Sequence, residues 1–397
     1  MISRLRLHPT ILLMAAAHLM VDGYGNIYAP MLPILIPRLN LSLAAAGTLT
    51  MLFQMAASVA QVGFGHLADR WRPRTLIKIG PVVSVVILSL IGLATSREML
   101  ALILVAGGLG AAAFHPPAAA LAHRLGGEHR GLAMSVYITG GTLGFSFGPL
   151  FFAPFAERFG LQWTPILMLP GLAVVLFFLR RVPPIPLHPS AHRGFGALRP
   201  YAKPLALLYA SVVLRTLASL TFATFVPVML TRRGMSVSQA GASVALYLFG
   251  SGVGGFLGGP AADRFGARAV IIWSLVVSCP FLFIAPFLHG WHFVVVLAIG
   301  GLFLQSTLPV NVTFGQSLAP VSAATVSSLM MGFAWGTGGL SVPLAGMIAD
   351  RVGIEHTLVG VSVIPLLAAA CALPLPARAA SAAPLQPAEV ILPEARR

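Results

Sequence analysis

Twelve stretches of mostly apolar residues, separated by short polar segments, run through the 397 residues of this chain. They fall at about 10–36, 42–67, 74–95, 98–123, 131–156, 162–180, 204–230, 236–261, 268–288, 291–317, 321–349 and 356–375. A helix needs about 20 such residues to cross the hydrocarbon core of a bilayer. Inside that core every backbone polar group must be satisfied within the protein, so each stretch predicts a helix. Composition points the same way, with 57% hydrophobic and only 9% charged residues. Soluble domains carry about a quarter charged residues, so this chain cannot coat a globular surface. The expected fold class is an all-α membrane protein of twelve transmembrane helices in two six-helix bundles.

The net charge of +15 would suggest a nucleic-acid partner in a soluble protein. Here the basic residues lie in short loops and sort by side. Eighteen of the 25 Lys and Arg residues fall on the face of the N-terminus, six on the other, and Arg215 lies inside span 7. Excess positive charge marks the cytoplasmic side, so both termini are expected in the cytoplasm and no nucleic-acid partner is expected. Cys279 and Cys371 both lie in apolar stretches and match no disulfide or zinc spacing. Arg4 and Arg6 precede an apolar run that is too long for a signal peptide and contains Asp22, so it reads as a retained first helix.

The two halves repeat. GHLADRW (65–71) matches GPAADRF (259–265), with the aspartates 194 apart, and FAERFG (155–160) matches IADRVG (348–353) at an offset of 193. Pro149 and Pro343 correspond as well. A parallel repeat of six spans predicts a two-bundle transporter with its site between the halves. The expected organisation is an N-terminal bundle (1–180), a polar, basic, proline-rich cytoplasmic linker (181–203), a C-terminal bundle (204–376) and a disordered cytoplasmic tail (377–397).

Gly-x-x-x-Asp-Arg, present as Gly65, Asp69, Arg70 and again as Gly259, Asp263, Arg264, resembles the loop signature of the major facilitator superfamily. Its glycines permit close helix approach, and its aspartates can pair with an arginine or a helix N-terminus, forming a cytoplasmic latch in one conformation. HLMVD (18–22), FQMAAS (53–58), AFHPP (113–117), RGLAMS (130–135) with Gly140–Gly141, and GFAWGTGGL (332–340) resemble the fosmidomycin-resistance branch. That resemblance implies proton-driven export of small toxic or metabolic solutes across a bacterial inner membrane. GTLGFSFGP (141–149) is similar to the signature of drug/proton exchangers. Gly144 and Gly148 would thin the helix and Pro149 would bend it, as a pivot or as ordinary small-residue packing.

Few polar groups are placed to do chemistry. Of ten acidic residues, only Asp22 lies well inside a span. An intramembrane carboxylate is costly and is a functional candidate by default. Burial favours the neutral form of any carboxylate, which suits a group that takes up and releases a proton. His18, four residues earlier, shares its helix face. The pair either couples protons or merely fixes span 1.

Pro116 and Pro117 remove two backbone donors in span 4, which places a helix kink and a cavity-lining position beside His115. In the repeat His115-Pro116 aligns with Leu308-Pro309, so the kink is shared and the imidazole is not. His115 is a candidate ligand for substrate or proton, or a structural histidine bonded to a carbonyl. Arg215 would neutralise an anionic substrate or pair with Asp22. Gln54, Gln61, Tyr24 and Asn311 are further candidate substrate ligands, or interhelical glue.

The function expected is a proton-coupled secondary transporter exporting a small solute or drug by alternating access. The alternative is an importer of a small organic anion or of a soft metal such as copper, suggested by the Met51/Met55 pair. No nucleophile–base constellation points to an enzyme, and no cofactor or resident metal is expected. The partners expected are a small-molecule substrate, protons and the lipid bilayer, with the monomer as the working unit.

Overall fold

The computed structural model describes residues 8–70, 73–183, 195–319 and 323–377, and for residues 69, 70, 128, 130, 195–197, 323 and 324 it describes the backbone alone. The linker positions 184–194 and the tail beyond 377 lie outside the described residues. Everything described is helix, turn or short connection, with no strand.

Ten helices are long and apolar enough to cross a membrane: Leu43–Ala68, Pro73–Leu93, Arg97–Leu125, Gly131–Phe159, Leu161–Arg181, Leu198–Arg232, Val237–Phe265, Ala267–Phe287, Gly290–Leu318 and Ile354–Ala372. They are spans 2–10 and 12. The remaining two spans are broken into shorter helices. Span 1 runs as Pro9–Gly25 and Tyr28–Leu39. Its break is stitched by the Asn26 side chain, which donates to the Asp22 carbonyl at 2.9 Å. Span 11 runs as Ala323–Ser327, a π-turn at Ser328–Phe333, Ala334–Gly339 and Val342–Val352. Span 2 carries a second π-turn at Met55–Val59.

Local chemistry explains the ends. Ser42, Ser96 and Ser236 cap spans 2, 4 and 8 with their hydroxyls, the residue type that best satisfies orphan N–H groups there. Gly160, Gly266 and Gly353 turn the chain at φ of 89°, 88° and 92°, a region closed to most side chains. The repeat recurs in the caps at the other end. Arg74 donates to the Val182 carbonyl at the end of span 6, and Arg268 to the Leu373 carbonyl at the end of span 12.

Within the first half, spans 1 and 5, and spans 3 and 4, pack along their length. Within the second, span 10 packs on spans 8 and 9, and span 7 on span 12. The halves meet through spans 5 and 8, 2 and 11, and 1 and 7. Spans 1 and 5 touch backbone to backbone: a Cβ at Gly144 would lie 2.5 Å from the Leu19 carbonyl, and one at Gly148 would collide with Gly23. Pro116 and Pro117 are absorbed in a helix that stays continuous through Leu125, whereas span 10 is interrupted at Ser306, one turn before Pro309. Large apolar side chains such as Leu102, Phe256 and Trp273 stand exposed on the outside, as a lipid-facing surface requires.

Candidate functional site

Asp22 sits midway along the broken span 1, and two imidazoles converge on it. His18 Nε2 lies 3.1 Å from Asp22 Oδ2, and His115 Nε2 lies 3.1 Å from Asp22 Oδ1. The side chains are 12%, 11% and 18% exposed for His18, Asp22 and His115, so the centre is nearly closed and His115 is its most open member. The sequence spacing supplies the first contact, since residues four apart share a helix face. The second is tertiary and brings span 4 against span 1.

Span 5 forms the back wall. The Tyr137 ring stacks on His18 at 4.2 Å, and its backbone carbonyl lies 2.8 Å from His18 Nδ1. A carbonyl only accepts, so Nδ1 carries the hydrogen. In a neutral His18, Nε2 would then present a lone pair to a carboxylate oxygen. That contact is attractive only if a proton lies between them, on His18 or on Asp22. Neither nitrogen of His115 has a hydrogen bond of good geometry to another described residue, although both are buried, so the hydrogen-bonding capacity of this imidazole is unspent.

The second half contributes a different polar centre. Arg215 is fully buried. Its Nη1 donates to Gln305 Oε1 and its Nη2 to Thr216 Oγ1 at 3.1 Å. Gln305 in turn donates to Ser219 at 2.9 Å, and the Arg215 guanidinium lies 5.6 Å from the Trp335 ring centre. Arg215 forms no ion pair among the described residues, with Asp22 or any other carboxylate. Gln305 and Trp335 were missed in the sequence. The available signal was a glutamine inside span 10, close to Ser306, Thr307 and Asn311.

The other candidates scatter. Tyr24 donates to the Leu167 carbonyl inside the first half, and Gln61 to its own helix at Ala57, 2.7 Å away. Gln54 packs on Gly339 of span 11, across the boundary between the halves. Asn311 is buried, and its Oδ1 has no partner among the described residues. Gly65 faces the Pro116 ring, and Gly259 faces open space. The side chains of Asp69 and Arg70 lie outside the described residues. Asp263 and Arg264 are exposed, and Arg264 lies over Phe265.

Two six-span halves with a titratable centre in one and a buried cation in the other define a membrane carrier of the two-bundle class. A model of the Major Facilitator Superfamily matches residues 14–211 and 207–393, and the chain belongs to that superfamily. It is 29% identical to an uncharacterised MFS-type transporter, YfnC of Bacillus subtilis, with 91% of each chain covered. It is 28% identical to the fosmidomycin resistance protein of Escherichia coli, over 88% of this chain and 89% of that one. Among solved structures, the fold resembles a bacterial homologue of the lysosomal transporter Spinster. That match has a TM-score of 0.75 and 19% identity, and covers 91% of this chain and 95% of the other. It also resembles the nucleoside transporter NupG, with a TM-score of 0.74 and 14% identity over 91% and 98%.

Proposed function

We propose that the chain is a proton-coupled exporter of a small solute or drug. The observation that carries this reading is the Asp22 carboxylate held between His18 and His115, at an edge that needs a proton to be attractive. Such a centre changes charge when the proton leaves, and that change can be tied to a change of conformation. Solute would bind between the halves, with the Gln54 region of span 2 and the Trp335–Arg215 region of spans 11 and 7 as its walls. The loops at Asp69 and Asp263 would latch the cytoplasmic face in the opposite state. The likeness to a fosmidomycin resistance protein supports export as the direction. The distribution of Lys and Arg supports cytoplasmic termini and a place in the bacterial inner membrane.

A second reading, metal uptake, also draws on the centre. One ligand atom from each of His18, Asp22 and His115 lies within 4.8 Å of the others. The donors are nitrogen and oxygen, a set that suits zinc or copper(II) better than copper(I). Met55 packs beside Gly336, in the contact between spans 2 and 11.

The test is a toxicity panel in an efflux-deficient bacterial host. It compares the chain with Asp22→Asn at matched expression, against phosphonate antibiotics, lipophilic cations, zinc and copper. Protection by the chain and not by the variant is expected for at least one organic toxicant. Equal protection by both removes Asp22 from the coupling, and metal hypersensitivity with no protection turns the reading to uptake.

A further inference from the structure

One contact between the halves is made twice. Span 2 begins after Ser42 and span 8 after Ser236, positions 194 apart. In each, the serine hydroxyl accepts the third helical N–H: Ala45 to Ser42 at 3.0 Å, Gln239 to Ser236 at 3.2 Å. A serine cap leaves the first two N–H groups unsatisfied. A carboxylate from the other half takes both. Asp350, at the end of span 11, accepts from Leu43 at 2.8 Å and Ala44 at 2.9 Å. Glu157, at the end of span 5, accepts from Val237 at 3.0 Å and Ser238 at 2.9 Å, and from the Ser238 hydroxyl.

Glu157 and Asp350 are equivalent in the repeat, within FAERFG and IADRVG. Just over one turn into each capped helix stands a glycine, Gly47 or Gly241, again 194 apart. A Cβ at Gly47 would lie 2.6 Å from the Val342 carbonyl, and one at Gly241 would lie 3.0 Å from the Pro149 carbonyl. These positions let the partner backbone close down on the cap. The positive end of each helix dipole faces the carboxylate, which adds attraction. Both carboxylates are exposed, so water can replace their partners when the halves separate.

We propose that these two reciprocal carboxylate caps are the gate of the face where spans 1 and 2 join. They hold that face shut in the state described here, and both must release for it to open. The caps read backbone N–H groups, so the charge of Glu157 and Asp350 matters and the side chains of Leu43 and Val237 do not. That this face is extracytoplasmic rests on the orientation proposed above.

The experiment uses the full-length chain in membrane vesicles, with Cys279→Ser, Cys371→Ser and a reporter, Thr50→Cys. Thr50 is buried behind the gate, its hydroxyl 3.4 Å from that of Thr224 in the other half. A membrane-impermeant maleimide is applied to right-side-out and to inverted vesicles. With Glu157→Ala and Asp350→Ala together, which remove both acceptor oxygens of each cap, labelling of right-side-out vesicles is expected to quicken by about tenfold or more, the loss expected for two caps of ordinary strength. Each single variant is expected to fall between. An unchanged rate in a double variant that elutes as one species overturns the gate. If the double variant does not accumulate, no acceleration in either single variant overturns it. Acceleration confined to inverted vesicles supports the gate and overturns the orientation.

Discussion

A methyl group at position 141 would lie 2.5 Å from His18 Nε2 and 2.6 Å from Asp22 Oδ2. Gly141→Ala is therefore expected to push the two groups apart and to lower proton-driven transport by about tenfold or more, the scale on which misplacing a working group is felt. Thermal melting close to that of the parent would assign the loss to the centre; a collapse of melting would assign it to packing of span 5. The second buried centre predicts a different phenotype. Gln305→Leu leaves an Arg215 N–H without its acceptor and is expected to destabilise the protein by about 1.5–3 kcal/mol, the usual worth of a hydrogen bond to a charged group. Denaturant or thermal unfolding in detergent checks this, and an unchanged midpoint would mean that the guanidinium finds another acceptor. At this scale the sequence was half legible. His18 and Asp22 could be paired because four-residue spacing is local. The arrival of His115 from span 4 and of Gln305 beneath Arg215 is tertiary, so spacing along the chain marks the residues but not their partners. The sequence leaves His115 open as a ligand for substrate or proton or as a structural histidine; the fold sets it against Asp22.

Among the elements, the apolar run length located all twelve spans, because the bilayer imposes it. It could not find the interruptions. The breaks at Asn26 and Leu340 and the π-turns at 55–59 and 328–333 leave hydropathy unchanged. They depend on side chains and neighbouring backbone that re-satisfy the freed groups. π-Turns gather at functional sites, and these two lie against each other in spans 2 and 11. Three glycines of span 11 make that contact. Cβ atoms at Gly332, Gly336 and Gly339 would lie 3.2 Å from the Ser58 carbonyl, 2.5 Å from Val59 Cγ2 and 3.0 Å from Gln54 Cβ. Gly336→Leu is expected to wedge the halves apart at mid-membrane, at a cost of about 1–3 kcal/mol for overpacking. Its transport should fall further than that of a leucine at Gly360, which meets nothing within 4 Å. Equal transport by the two variants would remove the glycine contact from the working cycle.

Across the whole molecule, the repeat was plain in the sequence, yet its most direct consequence was not. Glu157 and Asp350 look like ordinary charged residues at span ends until the fold sets each on a helix of the other half. If the halves move as bodies about the contacts of spans 1, 2 and 5 with spans 7, 11 and 8, a covalent tie across them must stop transport while leaving the fold intact. Thr50 and Thr224 offer the place, because their hydroxyls meet at 3.4 Å across spans 2 and 7. In a background lacking Cys279 and Cys371, Thr50→Cys with Thr224→Cys, oxidised or bridged by a short thiol reagent, is expected to lose solute efflux and proton flux together. Reduction of the oxidised pair should restore both, and neither single cysteine variant should respond. Loss of solute efflux with proton flux retained would mean that protons cross without the rocking motion. In that case the His18–Asp22–His115 centre would be a leak path rather than the coupling step.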